Sequence, residues 1–235
     1  MIVKQASLVA ESHVDRLYRE VKAMLVAYRF KPGERINESV LVNHLGGSRT
    51  PLREALNRLV AESFLTFQPG RGFFCRALDS KEIHELYQLR AVLEEAAVHL
   101  VAARISDQEI AEIEAFLNAT GTETTNADEL VGMDEHFHTR LMAASGNGEM
   151  IRLLENVNAR IRFIRWVDMD RRRPETQREH RAILQALKAG DGAGAARRMR
   201  VHIERRDDQI TQAVREGYSR LYVPGTASEQ IGDGS

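Results

Sequence analysis

A strand hairpin is written into this chain once, and everything after it is patterned for helix. Phe64-Leu65-Thr66-Phe67-Gln68 and Gly72-Phe73-Phe74-Cys75-Arg76 read as two short strands around the turn Pro69-Gly70-Arg71. Before them, apolar residues recur at helical spacing. Val14, Leu17, Tyr18, Val21, Met24 and Leu25 mark a helix over 14–27, stopped by Phe30-Lys31-Pro32-Gly33 because proline and glycine resist its continuation. Leu41, Val42 and Leu45 mark a second short helix, closed by Gly46-Gly47. A third follows at once, with Ser48 or Thr50 as cap, Pro51 in the first turn, and Leu52, Ala55, Leu56, Leu59 and Val60 as its apolar stripe.

Beyond Ala77-Leu78-Asp79 the strand signal ends. Helical spacing predicts a long helix over 80–104 and another opening at Ser106 and broken by Thr120-Gly121-Thr122. Further helices are expected at about 127–144, 148–168, 174–189 and 192–217. The fold class expected is mainly α: three helices and a β-hairpin over residues 1–78, then an all-α bundle over 79–222. Residues 223–235 (beginning near Pro224-Gly225-Thr226) are polar and glycine-rich and are expected to be a flexible tail.

Charge divides along the same line. The chain carries 33 Lys+Arg and 34 Asp+Glu, a net of -1. Residues 1–76 hold 12 basic and 7 acidic side chains, and the remainder holds the other 21 and 27. A basic first third joined to an acidic remainder implies two jobs in two parts. Hydrophobic residues make up 43%, enough for packed cores. The lone cysteine, Cys75, excludes an intramolecular disulfide and a thiolate-cluster zinc site, and fits a reducing cytosol. Neither a signal peptide nor an apolar run of transmembrane length is visible, so a cytoplasmic protein without a membrane partner is expected.

On the third helix Arg49, Thr50, Arg53 and Asn57 fall on one side, while Leu52, Ala55, Leu56 and Leu59 fall on the other. One side can pack while the other enters a major groove. Arginine can form two hydrogen bonds to guanine and asparagine two to adenine, and hydroxyls and a helix N-terminus suit phosphate. The preceding helix would complete a helix-turn-helix, and the tip Gly70-Arg71-Gly72 would be its wing. The competing reading is a solvated basic face with Glu54 and Glu62 as partners. The tight turn, the two-sided helix, the glycine-arginine tip and the local positive charge all favour DNA.

Three strings sharpen this: Pro32-Gly33-Glu34-Arg35-Ile36-Asn37-Glu38, Leu45-Gly46-Gly47-Ser48-Arg49-Thr50-Pro51-Leu52-Arg53-Glu54-Ala55-Leu56, and Pro69-Gly70-Arg71-Gly72. They resemble the winged helix-turn-helix of GntR-family transcription regulators. The resemblance implies a DNA-contact set of Arg35, Ser48, Arg49, Thr50, Pro51, Arg53, Asn57, Gly70, Arg71 and Gly72, acting on double-stranded operator DNA. Two positions depart from the family pattern. Ser39 stands where an arginine often follows the Asn-Glu pair, and Gly47 replaces a small apolar residue.

The second part holds a candidate metal set. Asp134 and His138 are one helical turn apart and share a face. His136 lies roughly opposite. His180 and His202 sit 22 residues apart, where a helical hairpin can bring the imidazoles together. Three histidines and one carboxylate suit Zn²⁺, Ni²⁺, Mn²⁺ or a similar divalent metal ion. Each residue taken alone also reads as ordinary surface or packing. Asp134-x-x-Phe137-His138, Ala144-Ser145-Gly146-Asn147 and Glu179-His180…His202 resemble the FCD effector-binding domain of the FadR-type branch. There the matching Asp and three His bind a divalent metal. The resemblance also implies that Arg90 faces a cavity and clamps a small carboxylate effector, with Glu94 as its alternative partner. Trp166 is a candidate cavity wall or ordinary core, and Arg171-Arg172-Arg173 reads as a solvated loop.

The favoured function is a ligand-responsive regulator, a homodimer because one small module reads few base pairs. Its effector would shift the placement of the two DNA heads. Two alternatives stand beside it: the same fold with a purely structural metal, and a metal-dependent enzyme tethered to DNA, with Glu135 or Glu179 as base. No nucleophile-base pair, phosphate loop or dinucleotide fingerprint is visible, so no enzyme is expected.

Overall fold

The computed structural model describes residues 12–120, 126–204 and 207–222, apart from the side chains of 169–174 and 207–208. The chain divides into two compact units, Met1–Ala77 and Leu78–Ser235. The expected tail and the break at Gly121-Thr122 lie outside the described residues.

In the first unit, α1 (His13–Val26), α2 (Glu38–Leu45) and α3 (Arg49–Ala61) precede the antiparallel strands β1 (Leu65–Gln68) and β2 (Gly72–Cys75). The hairpin register pairs Leu65 with Cys75 and Gln68 with Gly72. A bridge from Arg35 to Phe74 adds the segment before α2 to the hairpin edge, with Ile36 N–H donating to the Phe73 carbonyl at 2.9 Å. The apolar stripe of α3 is the centre of this unit: Leu52, Ala55, Leu56 and Leu59 are all fully buried. Leu17 and Val21 of α1 close the core from one side, and Leu65 and Phe73 from the hairpin. The Cys75 thiol is buried and free, and burial pushes its pKa up to about 12.

The turn between α2 and α3 runs through Gly46 at φ +70° and Gly47 at φ +116°. Both lie in the left-handed region where a Cβ is costly, which explains glycine at 47 in place of the usual apolar residue. Ser48 holds the N-cap position of α3 but makes no capping hydrogen bond.

Among its described residues the regular elements of the second unit are all helices: α4 (Ser80–Ala102), α5 (Asp107–Ala119), α6 (Ala127–Ala144), α7 (Gly148–Lys188), α8 (Gly192–Ile203) and α9 (Asp207–Tyr222). Side-chain caps set the starts. Asp79, Asn126, Asn147 and Asp191 each accept from backbone N–H groups, and Ser106 forms a capping box with Glu109. At Gly192 a Cβ would come 2.5 Å from Ala102 Cβ, so glycine there lets α8 close against the end of α4.

Two boundaries differ from the sequence expectation. The two helices expected at 148–168 and 174–189 are one helix, α7, whose backbone runs unbroken through Arg171-Arg172-Arg173 and Pro174 instead of forming a loop there. Buried residues continue on both sides, Ile164 and Val167 before and Thr176 and His180 after, and that packing outweighs the hydrogen bond proline removes. Conversely, the single helix expected over 192–217 is two. Glu204, at φ −58° and ψ 130°, ends α8 in extended backbone. No glycine or proline marks that break. α8 packs on α4 and α7, and α9 on α7 and α4.

Candidate nucleic-acid interface and metal centre

The outward side of α3 presents Arg49, Thr50, Arg53 and Asn57, all exposed. Arg35, Ser48, Gly70 and Arg71 are exposed too, while Pro51 and Gly72 are half-buried. Arg35, Arg49, Thr50, Arg53 and Gly72 line one hollow of about 620 Å³, with Glu38 and Ser39 on its α2 wall. Helix, loop and wing therefore converge on a single basic concavity. Gly70 and Gly72 take positive φ (+73° and +96°), which allows the tight wing turn, and the Arg71 guanidinium lies 5.2 Å from the Phe74 ring centre.

Arg53 and Arg58 are hydrogen-bonded to carboxylates other than those named from sequence, although the Glu62 charge still acts on Arg58. Glu62 accepts from Tyr18 and Lys22. Arg53 is held instead by Glu38, Nε to Oε2 at 2.6 Å and Nη2 to Oε1 at 3.1 Å, and Arg58 pairs with Asp15 at 2.7 Å. Ser39 accepts from Arg49 Nη2 at 3.1 Å.

In the helical unit, Asp134 and His138 of α6, His180 of α7 and His202 of α8 converge, all buried, with their potential ligand atoms within 4.8 Å of one another. The Nε2 atoms of His138 and His202 are 3.2 Å apart, and those of His180 and His202 are 3.1 Å apart. Asp134 Oδ1 lies 3.2 Å from His180 Nε2 and 3.7 Å from His138 Nε2. His136 is exposed beside Phe116 and Arg140 and takes no part.

The hydrogen-bond pattern behind the imidazoles tests whether this set fits a cation. Glu94 of α4 faces His138 Nδ1, and Glu179 Oε2 lies 2.7 Å from His202 Nδ1. Burial would raise the Glu94 pKa, but His138 and Arg90 overcome it and hold it down at about 2. An ionised carboxylate only accepts, so Nδ1 of His138 carries the hydrogen and its Nε2 bears a lone pair if the ring is neutral. Burial lowers the His202 pKa to about 3 against the opposing Glu179 hydrogen bond, so that ring is neutral at pH 7. With a neutral His138 ring, its Nε2 lone pair would face that of His202 at 3.2 Å, an arrangement that a cation between them stabilises. Ligands ~2.1 Å from one ion sit ~3.0–3.4 Å apart at right or tetrahedral angles, which matches the His138–His202, His180–His202 and Asp134–His180 separations, while Asp134 and His138 lie wider at 3.7 Å. The residues fit a divalent metal.

Arg165 anchors the carboxylate side and was not singled out in the sequence reading. Buried on α7, it donates from Nη2 to Asp134 Oδ2 and from Nη1 to Glu135 Oε1 at 3.1 Å. Burial would raise the Asp134 pKa, but this guanidinium holds it well below the ordinary carboxylate range. The signal available in sequence was the i, i+7 spacing from Asn158, which also accepts from Arg165. Arg90 is buried, with Nε donating to Glu94 Oε1 at 2.7 Å and Nη2 without a hydrogen-bond partner. Trp166 is half-buried. It packs on Leu130 and Val131, stacks with Phe163 at 5.8 Å, and has the Arg220 guanidinium 4.9 Å from its ring centre.

A basic winged helix joined to a helical unit with a buried histidine cluster defines a DNA-binding transcriptional regulator. The chain belongs to the GntR family. Its residues 13–75 match the bacterial regulatory proteins of the gntR family, and residues 85–205 match the FCD domain. It is 42% identical to the Nta operon transcriptional regulator of Aminobacter aminovorans over 87% of this chain and 98% of that protein. It is 33% identical to the HTH-type transcriptional regulator YdhC of Bacillus subtilis, over 86% and 92% respectively. A solved GntR structure from Rhodococcus sp. RHA1 shares 25% identity with a TM-score of 0.66, covering 86% of this chain and 99% of that one. Among the described residues no helix is long and apolar enough to cross a membrane.

Proposed function

We propose that this protein is a metal-containing, carboxylate-responsive regulator that acts in the cytoplasm as a homodimer on operator DNA. The observation that carries the reading is the convergence of three imidazole Nε2 atoms and one carboxylate oxygen inside the helical unit. Asp134, His138, His180 and His202 would hold a Zn²⁺, Ni²⁺ or Mn²⁺ ion, and such an ion supplies an open Lewis-acid position for a ligand oxygen. Arg90 keeps one guanidinium nitrogen unpaired beside Glu94, which supports a role in binding a small carboxylate. Trp166, half-buried against Leu130 and Val131 of α6, would wall the effector cavity, with ordinary packing as the alternative. In the first unit, Arg35, Ser48, Arg49, Thr50, Pro51, Arg53, Asn57 and the wing residues Gly70, Arg71 and Gly72 would meet DNA, with α3 in the major groove. Dimerisation follows from how few base pairs one such head reads.

The function is regulation rather than turnover: Glu135 is engaged by Arg162 and Arg165, and Glu179 by His202, which leaves neither as an uncommitted base. The test is elemental analysis followed by a thermal-shift screen of small carboxylates, with hits carried into DNA binding. A carboxylate that raises the melting temperature and changes operator affinity supports the reading. Turnover of such a compound would move the assignment to an enzyme, and unchanged DNA affinity across the screen would leave a structural metal.

A further inference from the structure

Glu38 stands outside the contact set above, yet it makes the closest polar contact to the groove-facing side of α3. It sits in the first turn of α2 with 17% of its side chain exposed, against 61% for Arg53. The two meet along one edge of the guanidinium, Arg53 Nε donating to Oε2 at 2.6 Å and Nη2 to Oε1 at 3.1 Å. That edge uses the Nε hydrogen and one Nη2 hydrogen. Left over are both Nη1 hydrogens and the second on Nη2, at the far end of the fork. Guanine O6 and N7 accept a parallel pair of N–H bonds, and the end of the fork supplies such a pair. Arg49, one turn earlier, has among the described residues the neutral Ser39 hydroxyl as its partner, at 3.1 Å from one nitrogen.

We propose that Glu38 is a positioning residue for base reading. It fixes Arg53 in a single arrangement with the end of its fork free, and so makes Arg53 the guanine-selecting side chain of each head. Arg49, loosely held by Ser39, is left as the adaptable contact to backbone phosphate. A carboxylate in a DNA-facing hollow otherwise makes little sense, since it repels phosphate. Its repulsion falls equally on every sequence, whereas its alignment of Arg53 helps only where guanine is present. The carboxylate thus widens the gap between right and wrong sites. The inference rests on α3 entering the major groove. A carboxylate in a helix first turn also favours the helix dipole, and that purely structural role has a different signature.

The experiment uses the full-length protein and a pool of duplexes with a randomised central segment, selected with wild type, Glu38→Gln, Glu38→Asp and Arg53→Ala. Binding to a fixed scrambled duplex and melting temperature are measured alongside. Wild type is expected to enrich guanine at one position per half-site. Glu38→Gln should weaken that preference about two- to twelvefold, the equivalent of leaving one long side chain unordered, while binding scrambled DNA more tightly than wild type. Glu38→Asp keeps the charge but loses the reach, so its preference weakens without the gain on scrambled DNA. If Glu38→Gln keeps the full guanine preference while Arg53→Ala abolishes it, the positioning role is overturned and the Arg53 assignment survives. If neither variant changes the preference, the groove-facing reading of Arg53 falls with it. A Glu38→Gln protein that melts earlier and binds all DNA less well makes Glu38 a structural residue and also overturns the proposal.

Discussion

Arg53 and Arg165 are both guanidiniums held by carboxylates, yet one keeps 61% of its side-chain surface exposed and the other 4%. The same bond therefore works in two media. Around Arg53 water screens the pair, so it adds little to the stability of the fold, and its proposed use is to orient the open end of the fork. Around Arg165 no water compensates for a lost partner, so the charges on α6 and α7 are committed to one another. The head unit keeps its guanidinium charge at a solvated surface. The helical unit locks its charge in place beside the Asp134–His138–His180–His202 cluster.

The largest test of that contrast is Arg165→Met. It leaves Asp134 buried without its guanidinium and is expected to cost about 3–5 kcal/mol of stability in the helical unit. Urea unfolding followed by Trp166 fluorescence reads this directly, since Trp166 is the only tryptophan and adjoins the substituted position. A loss under ~1 kcal/mol would mean that Asp134 is not dependent on Arg165.

Metal removal comes next. A chelator is expected to lower the melting temperature by about 5–10 °C, taking metal at a hundred times its Kd and a domain of this size. His180→Ala should lower metal content and melting temperature together, and the chelator should then have little further effect. Metal stoichiometry unchanged in His180→Ala would remove His180 from the ligand set.

Acid should act on the chelated protein in the same direction. The His202 pKa is held at about 3 when folded, below its ordinary 6.5, so the unfolded chain binds a proton that the folded one refuses. Stability is then full above about pH 6.5 and falls as the pH drops toward 3. A chelated protein equally stable at pH 7 and pH 4.5 would contradict a buried neutral His202.

The smallest effect on stability falls in the head. Arg53→Ala should leave the melting temperature unchanged while weakening operator binding by about five- to 150-fold. Equal loss on scrambled DNA would make Arg53 a phosphate contact.

Much of this was legible from local pattern. The 3.6-residue spacing over Leu52, Ala55, Leu56 and Leu59 placed the buried side of α3, and so placed Arg49 and Arg53 outside. Proline and glycine at 69–72 marked the wing, and Ser106 marked a helix start. The spacing of Asp134 and His138 placed both on one face of α6. Less legible were boundaries that depend on packing: α7 continues past Pro174, and α8 ends at Glu204 with no breaker residue. Propensity is a weak term, and burial against α4 and α7 overrides it.

The sequence by itself determined the buried side of α3 and the shared face of Asp134 and His138, because helical periodicity is written within a few residues; on α4 it did not, since Leu89 and Leu100 lie exposed while Arg90 and Glu94 are buried. Only the tertiary structure decided the pairings: Glu38 with Arg53, Arg165 with Asp134, Glu94 with His138, and the meeting of His180 with His202. Those contacts join segments 15 to 44 positions apart. Their partners are selected by how helices cross, and that geometry is set by the whole buried core at once.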